Sequence, residues 1–586
     1  MKIARRAVAA AVLLCVLLAG CAREDMAEEA APSAAAAVAK IAQPGIGGSG
    51  LRDDPVLYAA YDPTDVVCFY ITVLYGSAAD GTDHTFEEVN AYRYVEEMPE
   101  EGKVLANAIF QVGDESGPLP GEVGYWATGP NATINARGRS STEAAQKSYR
   151  ISLFDSAGLW RGQRAIALNK HPYDPTRLRN MLYFELLQDV PGMVSLRTQF
   201  VHVYIRDATD PEAPEGFADY GLFTQVELPN GRYLRNHGLS RNGDLYKANF
   251  CEMFRYPDNL KPADDPDYDA AKFAEILEPK SDGDHRKLLR MLDAVNDFSI
   301  PIEEVVARHF DLDNLTSYLA FNLLMGNPDS SSQNYFLYSP VNSETWYYIC
   351  WDGDGSLSYG ESELLGRDWT EDEWRLGISN YWGVALFNRL LRVKAYRDAL
   401  DEKVEALRSV VSPERIEALV SRYREVVDEY AHRMPDEIGL EVSFEDLEAI
   451  YETLPGDADR AYQFYRESLL EPMPFYMSEV YAGEEGLELY WDAAYDFDGE
   501  LVRYDVQVAR DWTFDEGGIV WQSLGQSLAS AALPRPEPGE YYWRVVAENK
   551  SGRRQGAFDV VWSASGGHAG MRRFVVRPDG TVVNDS

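Results

Sequence analysis

Short runs in which apolar and polar residues alternate with period two recur in the first half of the chain, as in Val66 to Leu74, Thr133 to Arg137, Tyr149 to Leu153 and Phe200 to Ile205. Alternation of this kind predicts short strands with one buried face, and its recurrence between about residues 51 and 250 predicts a largely antiparallel sheet. From about 285 to 470 the apolar spacing becomes helical, over Leu312 to Met325, Ala395 to Val410, Pro413 to Arg433 and Phe444 to Leu470. Residues 51–470 therefore read as one α+β domain whose β-rich N-terminal part is 51–130. Period two returns over 474–577, where Leu487, Leu489 and Trp491 alternate, as do Tyr504, Val506 and Val508. That pattern predicts a second, all-β domain followed by a tail at 578–586. No solenoid period is present.

Residues 1–20 break both patterns. Lys2, Arg5 and Arg6 precede an unbroken apolar run from Ala7 to Gly20, too short to span a bilayer comfortably, so the segment reads as a signal peptide. Leu18-Ala19-Gly20-Cys21 resembles the lipobox of bacterial lipoproteins, which makes Cys21 the expected lipidation site and a membrane the expected partner through that lipid. Residues 21–50, rich in Ala, Glu, Pro, Ser and Gly, read as a tether able to reach ~100 Å when extended.

Composition narrows the function. With 55 basic and 95 acidic residues the net charge is −40, which repels phosphate backbones and excludes a nucleic-acid role. A macromolecular partner is expected to be basic. Apart from the signal peptide and Cys21, three cysteines remain, Cys68, Cys251 and Cys350, each in an apolar stretch and without CxxC spacing. They are expected as buried free thiols.

GxxxxGK[ST], GxSxG and HExxH are absent, so P-loop, serine-hydrolase and zinc-protease readings have no support. The chemistry that remains is acidic and clustered. The helix ending at Met325 has Asp311 or Asp313 as its N-cap and Gly326 as its terminator, which puts Asn327-Pro328-Asp329 in the loop that leaves it. Asn334 opens the strand YFLY, a turn follows at Val341 to Glu344, and the strand TWYYICW returns to Asp352-Gly353-Asp354-Gly355. A hairpin centred near residue 342 sets Asn334 opposite position 350 or nearby. Asp329, Asn334, Asp352 and Asp354 then share one end of it.

Carboxylates brought to 4 Å repel by about 4 kcal/mol per pair at an effective dielectric near 20. Oxygen ligands of this kind suit Mg²⁺ or Mn²⁺ that is also held by substrate phosphates. The spacing D-x-x-x-x-N, followed by an Asp beyond a strand turn, is also the arrangement of a protein kinase, in which one Asp accepts the hydroxyl proton while the Asn and the later Asp hold metal. Arg137-Gly138-Arg139-Ser140-Ser141 and Lys147-Ser148-Tyr149-Arg150 supply cations for phosphates.

The runs ARGRSS…KSYRISL, DPTRLRNMLYFELLQD, GLFTQVEL, GDLYKANF, NPDSSSQNYFLY and CWDGDGSLSYG, in that order over roughly 130–470, resemble the successive motifs of the CotH family of spore-coat kinases. The resemblance implies an atypical protein-kinase-like fold, ATP with Mg²⁺ (or Mn²⁺) as cofactors, and phosphorylation of Ser or Thr on an exported protein expected to be basic and Ser/Thr-rich. Carried over by motif, Asp329 is the catalytic-loop Asp, and Asn334 and Asp352, with Asp354 beside them, are the metal ligands. Arg137, Lys147 and Arg150 are the basic positions of the nucleotide site, and Glu227 is the acidic partner of a phosphate-binding Lys. Toward the C-terminus, WDAAYDFDGELVRYDVQVARD and GEYYWRVVAENKSG resemble a fibronectin type III sandwich.

Bland readings cover several other residues. Asp174, Arg179 and Asn180 match family positions, but capping and salt bridging account for them equally well. Lys247 is either a phosphate contact or a snorkelling strand residue. Asp352 to Glu363 imitates a calcium loop but has Leu357 where that loop requires Gly. CotH-like fungal proteins act as adhesins, which makes a surface binding protein the alternative to a kinase.

Overall fold

The alternating runs of the N-terminal part do not form an open sheet; they close on themselves. The computed structural model of the chain describes residues 50–94, 104–366, 374–483, 486–563 and 566–584. Seven of its strands make a ring: β1 (Val67–Leu74), β2 (Ala106–Asp114), β3 (Ala132–Arg137), β4 (Ser148–Leu153), β5 (Ala165–Asn169), β6 (Thr198–Asp207) and β7 (Ala218–Glu227). Their order is β1-β6-β7-β5-β4-β3-β2, and β2 pairs back onto β1. The expected antiparallel pairing holds except at one seam, where β1 and β6 run parallel with Val67 opposite Val201. Closure leaves no unpaired edge in the ring and surrounds a core that includes Phe69, Phe110, Ile134, Ile151, Ile166 and Val203. Since Ile134, Ala136, Tyr149 and Ile151 point inward, period two turns Asn135, Arg137, Ser148 and Arg150 to the outside of the barrel.

A second sheet is built from β8 (Asp244–Ala248), β9 (Leu277–Pro279), β10 (Tyr335–Ser339) and β11 (Tyr347–Cys350), in the antiparallel order β9-β8-β10-β11. Around it lie α1 (Arg179–Leu187), α2 (Leu312–Met325), α3 (Lys394–Leu407), α4 (Pro413–Ala431) and α5 (Phe444–Ser468). The last four match their expected spans to within three residues. Helix α2 is buried on every face from Asn314 to Met325, as a central helix is. Of its two candidate caps Asp311 is the one used, accepting from the Asn314 amide at 2.9 Å, and Gly326 ends the helix at φ 57°.

Barrel and helices are joined by a buried ionic knot. Asp436, between α4 and α5, accepts from Lys170 Nζ at the end of β5 (2.9 Å), from the Arg177 guanidinium, and from the Leu222 amide of β7 (3.0 Å). Burial pushes the Lys170 ammonium down to about 8.

Toward the C-terminus a three-stranded and a six-stranded sheet share one core that includes Leu487, Leu489, Val506, Val508 and Trp543. The residues expected as a tail contribute a strand, Val582–Asn584, paired with Met571–Val576. These sheets meet the helical body at the short helix Ser379–Trp382: Gln555 Nε2 donates to Ser379 Oγ at 3.3 Å, and Trp382 stacks on Tyr495 with ring centroids 5.3 Å apart. Cys68, Cys251 and Cys350 are buried free thiols. The signal peptide, Cys21 and the tether up to residue 49 lie outside the described residues.

Removing one partner of a buried ion pair strands the other charge. Asp436→Ala, which leaves Lys170 and Arg177 unpaired in the interior, is expected to lower the unfolding free energy by about 3–5 kcal/mol in urea denaturation.

Candidate active site

The hairpin register carries the site. Tyr335 pairs with Cys350 and Tyr338 with Tyr347, and the Trp351 amide donates to the Asn334 carbonyl at 3.1 Å. Asn334 therefore faces position 351, and Asn334 and Asp352 flank the open end of the hairpin. Both are left-handed, at φ 58° and 53°. For a residue with a side chain this costs of order 1–3 kcal/mol and persists only where neighbours enforce it. For Asp352 the enforcer is Asn180 of α1. Its Oδ1 accepts from the Gly353 amide at 2.9 Å, and its Nδ2 donates to Asp352 Oδ1 at 3.3 Å. Gly353 is required here, because a Cβ would lie 2.2 Å from Cγ of Tyr183.

Asp329 sits on the 3₁₀ turn Pro328–Ser330 that follows α2. Asn327 Oδ1 accepts from the Asp329 amide at 3.3 Å, the Tyr318 hydroxyl donates to the Ser330 carbonyl at 2.6 Å, and Asn380 Nδ2 donates to the Pro328 carbonyl at 2.9 Å. The turn is thus fastened on three sides. It is also close to the Asp352 loop, since a Cβ on Gly355 would stand 3.6 Å from Asp329 Oδ2.

The carboxylates feel one another. Burial, then Asp352, raises the pKa of Asp329, against the pull of Arg375. Asp354 is raised well above the usual carboxylate range by burial, then by Asp352, Asp174 and Asp329. Asp329, Asp352 and Asp354 thus lie within electrostatic reach of one another, although their carboxylate oxygens do not all come within 4.8 Å; hard oxygen donors of this kind suit Mg²⁺ or Mn²⁺.

Beneath the loop lies Arg179, buried, with NH1 2.7 Å from Asp174 and NH2 2.7 Å from Glu361. Asp174 also accepts from the Thr176 and Arg179 amides, both at 3.0 Å. The capping and salt-bridge role read for Asp174 and Arg179 is the one they have, whereas Asn180 reaches the site itself. Asp457 of α5 accepts from the Gly360 amide at 2.9 Å, and burial raises its carboxyl to about 6.

The cations divide. Arg137, on the outer face of β3, lies 5.9 Å from the Trp351 ring centroid, with Asp352, Asp354 and Arg150 as charged neighbours. Lys247 of β8, opposite Phe336 of the hairpin, has Arg137 and Asp352 among its charged neighbours, and burial pushes it down to about 8. Lys147 is not with them. Its ammonium donates to the carbonyls of Thr142 (2.5 Å) and Ala144 (2.6 Å), and its charged neighbours are Arg93 and Glu143. Glu227 corrects a second expectation, because its partners are Arg197 (2.9 Å to Nε) and His237 (3.0 Å) and not a lysine. Burial alone would raise its carboxyl; those two partners hold it at about 2. Sequence reasoning missed Asn180 as a contact of Asp352, although the motif DPTRLRN pointed to it.

A separate group, Asp428, His432 and Glu448, places ligand-type atoms within 4.8 Å of one another. Arg424 already bridges its two carboxylates, at 3.1 Å and 2.7 Å.

Residues 134–452 match the family model described as CotH kinase protein. The chain is also similar to the inner spore coat protein H of Bacillus subtilis (strain 168), with 24% identity over 302 residues covering 50% of this chain and 77% of that protein. The matched span contains Arg137, Asn180, Lys247 and the whole acidic cluster.

A carboxyl raised on folding favours the folded state below its unfolded pKa, and that contribution is lost as pH rises through the folded value. For Asp457 the window runs from about 4 to about 6. Asp457→Asn keeps the acceptor for Gly360 and removes the titration. The variant should therefore gain on the wild type across this window, by about 1–3 kcal/mol at pH 7, in denaturation curves taken at both ends of it.

Proposed function

The chain belongs to the CotH kinase protein family, and on that premise we propose that it transfers the γ-phosphoryl group of ATP to serine or threonine of an exported protein. The observation that carries this reading is the convergence of Asp329, Asn334, Asp352 and Asp354 at one hairpin end, with Arg137 and Lys247 facing them. Asp352, Asp354 and Asn334 would hold the magnesium or manganese ion. Arg137 and Lys247 would meet phosphate oxygens, Lys247 in the place expected of Lys147, while Arg150 turns to the arginine-lined outer face of β4. A metal nucleotide bound there would supply an electrophilic phosphorus with its oxygen charge neutralised. Asp329 accepts the hydroxyl proton as the new oxygen–phosphorus bond forms and the bond to ADP breaks, and its raised pKa makes it a stronger base than an exposed carboxylate.

The lipobox-like Leu18-Ala19-Gly20-Cys21 supports an enzyme held outside the cytoplasmic membrane through Cys21, with the C-terminal sheets as a fibronectin type III-like spacer. An adhesin, the alternative use of this fold, has no need of a mutually repelling acidic cluster.

Residues 44–586, one compact unit, are to be incubated with labelled ATP and Mg²⁺ or Mn²⁺, alone and with a Ser-rich protein. Label transfer is expected, with a loss of about 10²-fold or more in Asp329→Ala and Asp352→Ala. Asp352→Ala should also lose the nucleotide-dependent rise in melting temperature that Asp329→Ala retains. No transfer and no nucleotide-dependent rise in the wild type would favour the adhesin. Transfer that survives both substitutions would mean that the chemistry lies elsewhere.

A further inference from the structure

Among its described residues, a chain of net charge −40 contains a cavity of the opposite character. It has a volume of about 600 Å³ and runs along the outer face of β4 and β5 beneath the short helix Gly231–Asn236. Of its eleven lining residues five are arginine, Arg150, Arg164, Arg232, Arg235 and Arg241, and none is acidic. Arg164 is paired, with Asp155 outside the cavity, yet its Nε and that of Arg150 are buried with no hydrogen-bond partner. Among the described residues Arg241 reaches the Asn242 amide oxygen, at 3.3 Å, and no carboxylate within 4 Å. No carboxylate lies within 4 Å of Arg232 or Arg235 among the described residues. Arg232 is destabilised as a cation by burial and then by Arg164, Arg235 and Arg241.

Guanidinium groups held against one another without counter-charges mark a place that an anion completes, and arginine meets carboxylate or phosphate oxygens in pairs. The cavity adjoins the candidate active site, since Arg150 is the charged neighbour of Arg137, which in turn neighbours Asp352. No aromatic ring lines it, so a nucleobase would find nothing to stack on. Screening confines electrostatics to about 8 Å at physiological salt, and a ligand inside the groove therefore meets these arginines and not the acidic remainder of the surface.

We propose that this groove binds an anionic segment, phosphorylated or acidic, of the protein whose hydroxyl is phosphorylated, which reverses the basic partner expected from net charge. This rests on the kinase reading for the identity of the partner, but binding in the groove does not need catalysis.

The test is fluorescence anisotropy on residues 44–586 without nucleotide, using four peptides of one framework that carry phosphoserine, glutamate, serine or lysine. The phosphoserine peptide is expected to bind, to weaken with added salt, and to lose at least tenfold in affinity to Arg232→Gln/Arg235→Gln/Arg241→Gln. Equal affinity for the glutamate peptide would assign an acidic segment, and weaker affinity a phosphorylated one. Should the triple variant not fold, Arg235→Gln and Arg241→Gln, both exposed, should each cost about threefold. Binding of the serine or lysine peptide as tight as that of the phosphopeptide, binding unchanged in the variants, or competitive displacement by Mg²⁺-ATP would overturn the proposal. Because no nucleotide is present in the binding assay, absence of phosphoryl transfer would sink the kinase reading and leave this result standing.

Discussion

Carboxylates that repel by several kilocalories per mole stay together only where each is fastened to something rigid. Here Asp352 is fixed in a left-handed conformation by the Asn180 amide and by the missing side chain of Gly353, which lets the loop lie on Tyr183. Asp329 is fixed by a turn tied to Asn327, Tyr318 and Asn380. Arg179, buried between Asp174 and Glu361, supports the loop from below. This framework fixes the backbone that carries both carboxylates, which leaves side-chain rotation as the adjustment the proposed cation would drive.

What the sequence disclosed and what it hid follow from separation along the chain. The hairpin, its register near residue 342, the Asp311 cap and the Gly326 terminator are local, and their signals lie within a few residues of the structure they specify. Closure of the barrel depends on β1 pairing with both β2 and β6, and no local pattern announces a parallel partner over a hundred residues away. The same holds for Asn180, which meets Asp352 across more than 170 residues. Lys147 misled because a flexible ammonium can satisfy itself on nearby carbonyls, and those of Thr142 and Ala144 are within reach. Glu227 misled because its partner is set by the rim of the barrel, where Arg197 and His237 converge.

The site lies between surfaces of opposite charge. The outer face of the barrel contributes Arg137, with Arg150 beside it, and the hairpin and the turn after α2 contribute the acids. The helix Ser379–Trp382 ties the C-terminal sheets to this arrangement. Its Asn380 and Tyr381 hold the turn of Asp329, while Ser379 and Trp382 meet Gln555 and Tyr495. The C-terminal sheets are thus packed against an element that also buttresses the turn of the proposed base.

The central claim is that the hairpin end binds a divalent ion. The most direct measurement is anomalous diffraction from crystals of residues 44–586 grown with Mn²⁺ and a non-hydrolysable ATP analogue. The account predicts a manganese peak bounded by the carboxylates of Asp352 and Asp354 and the amide oxygen of Asn334, and its loss in Asp352→Asn. A cluster left without an ion at saturating Mn²⁺, or a peak only at Asp428, His432 and Glu448, would contradict it.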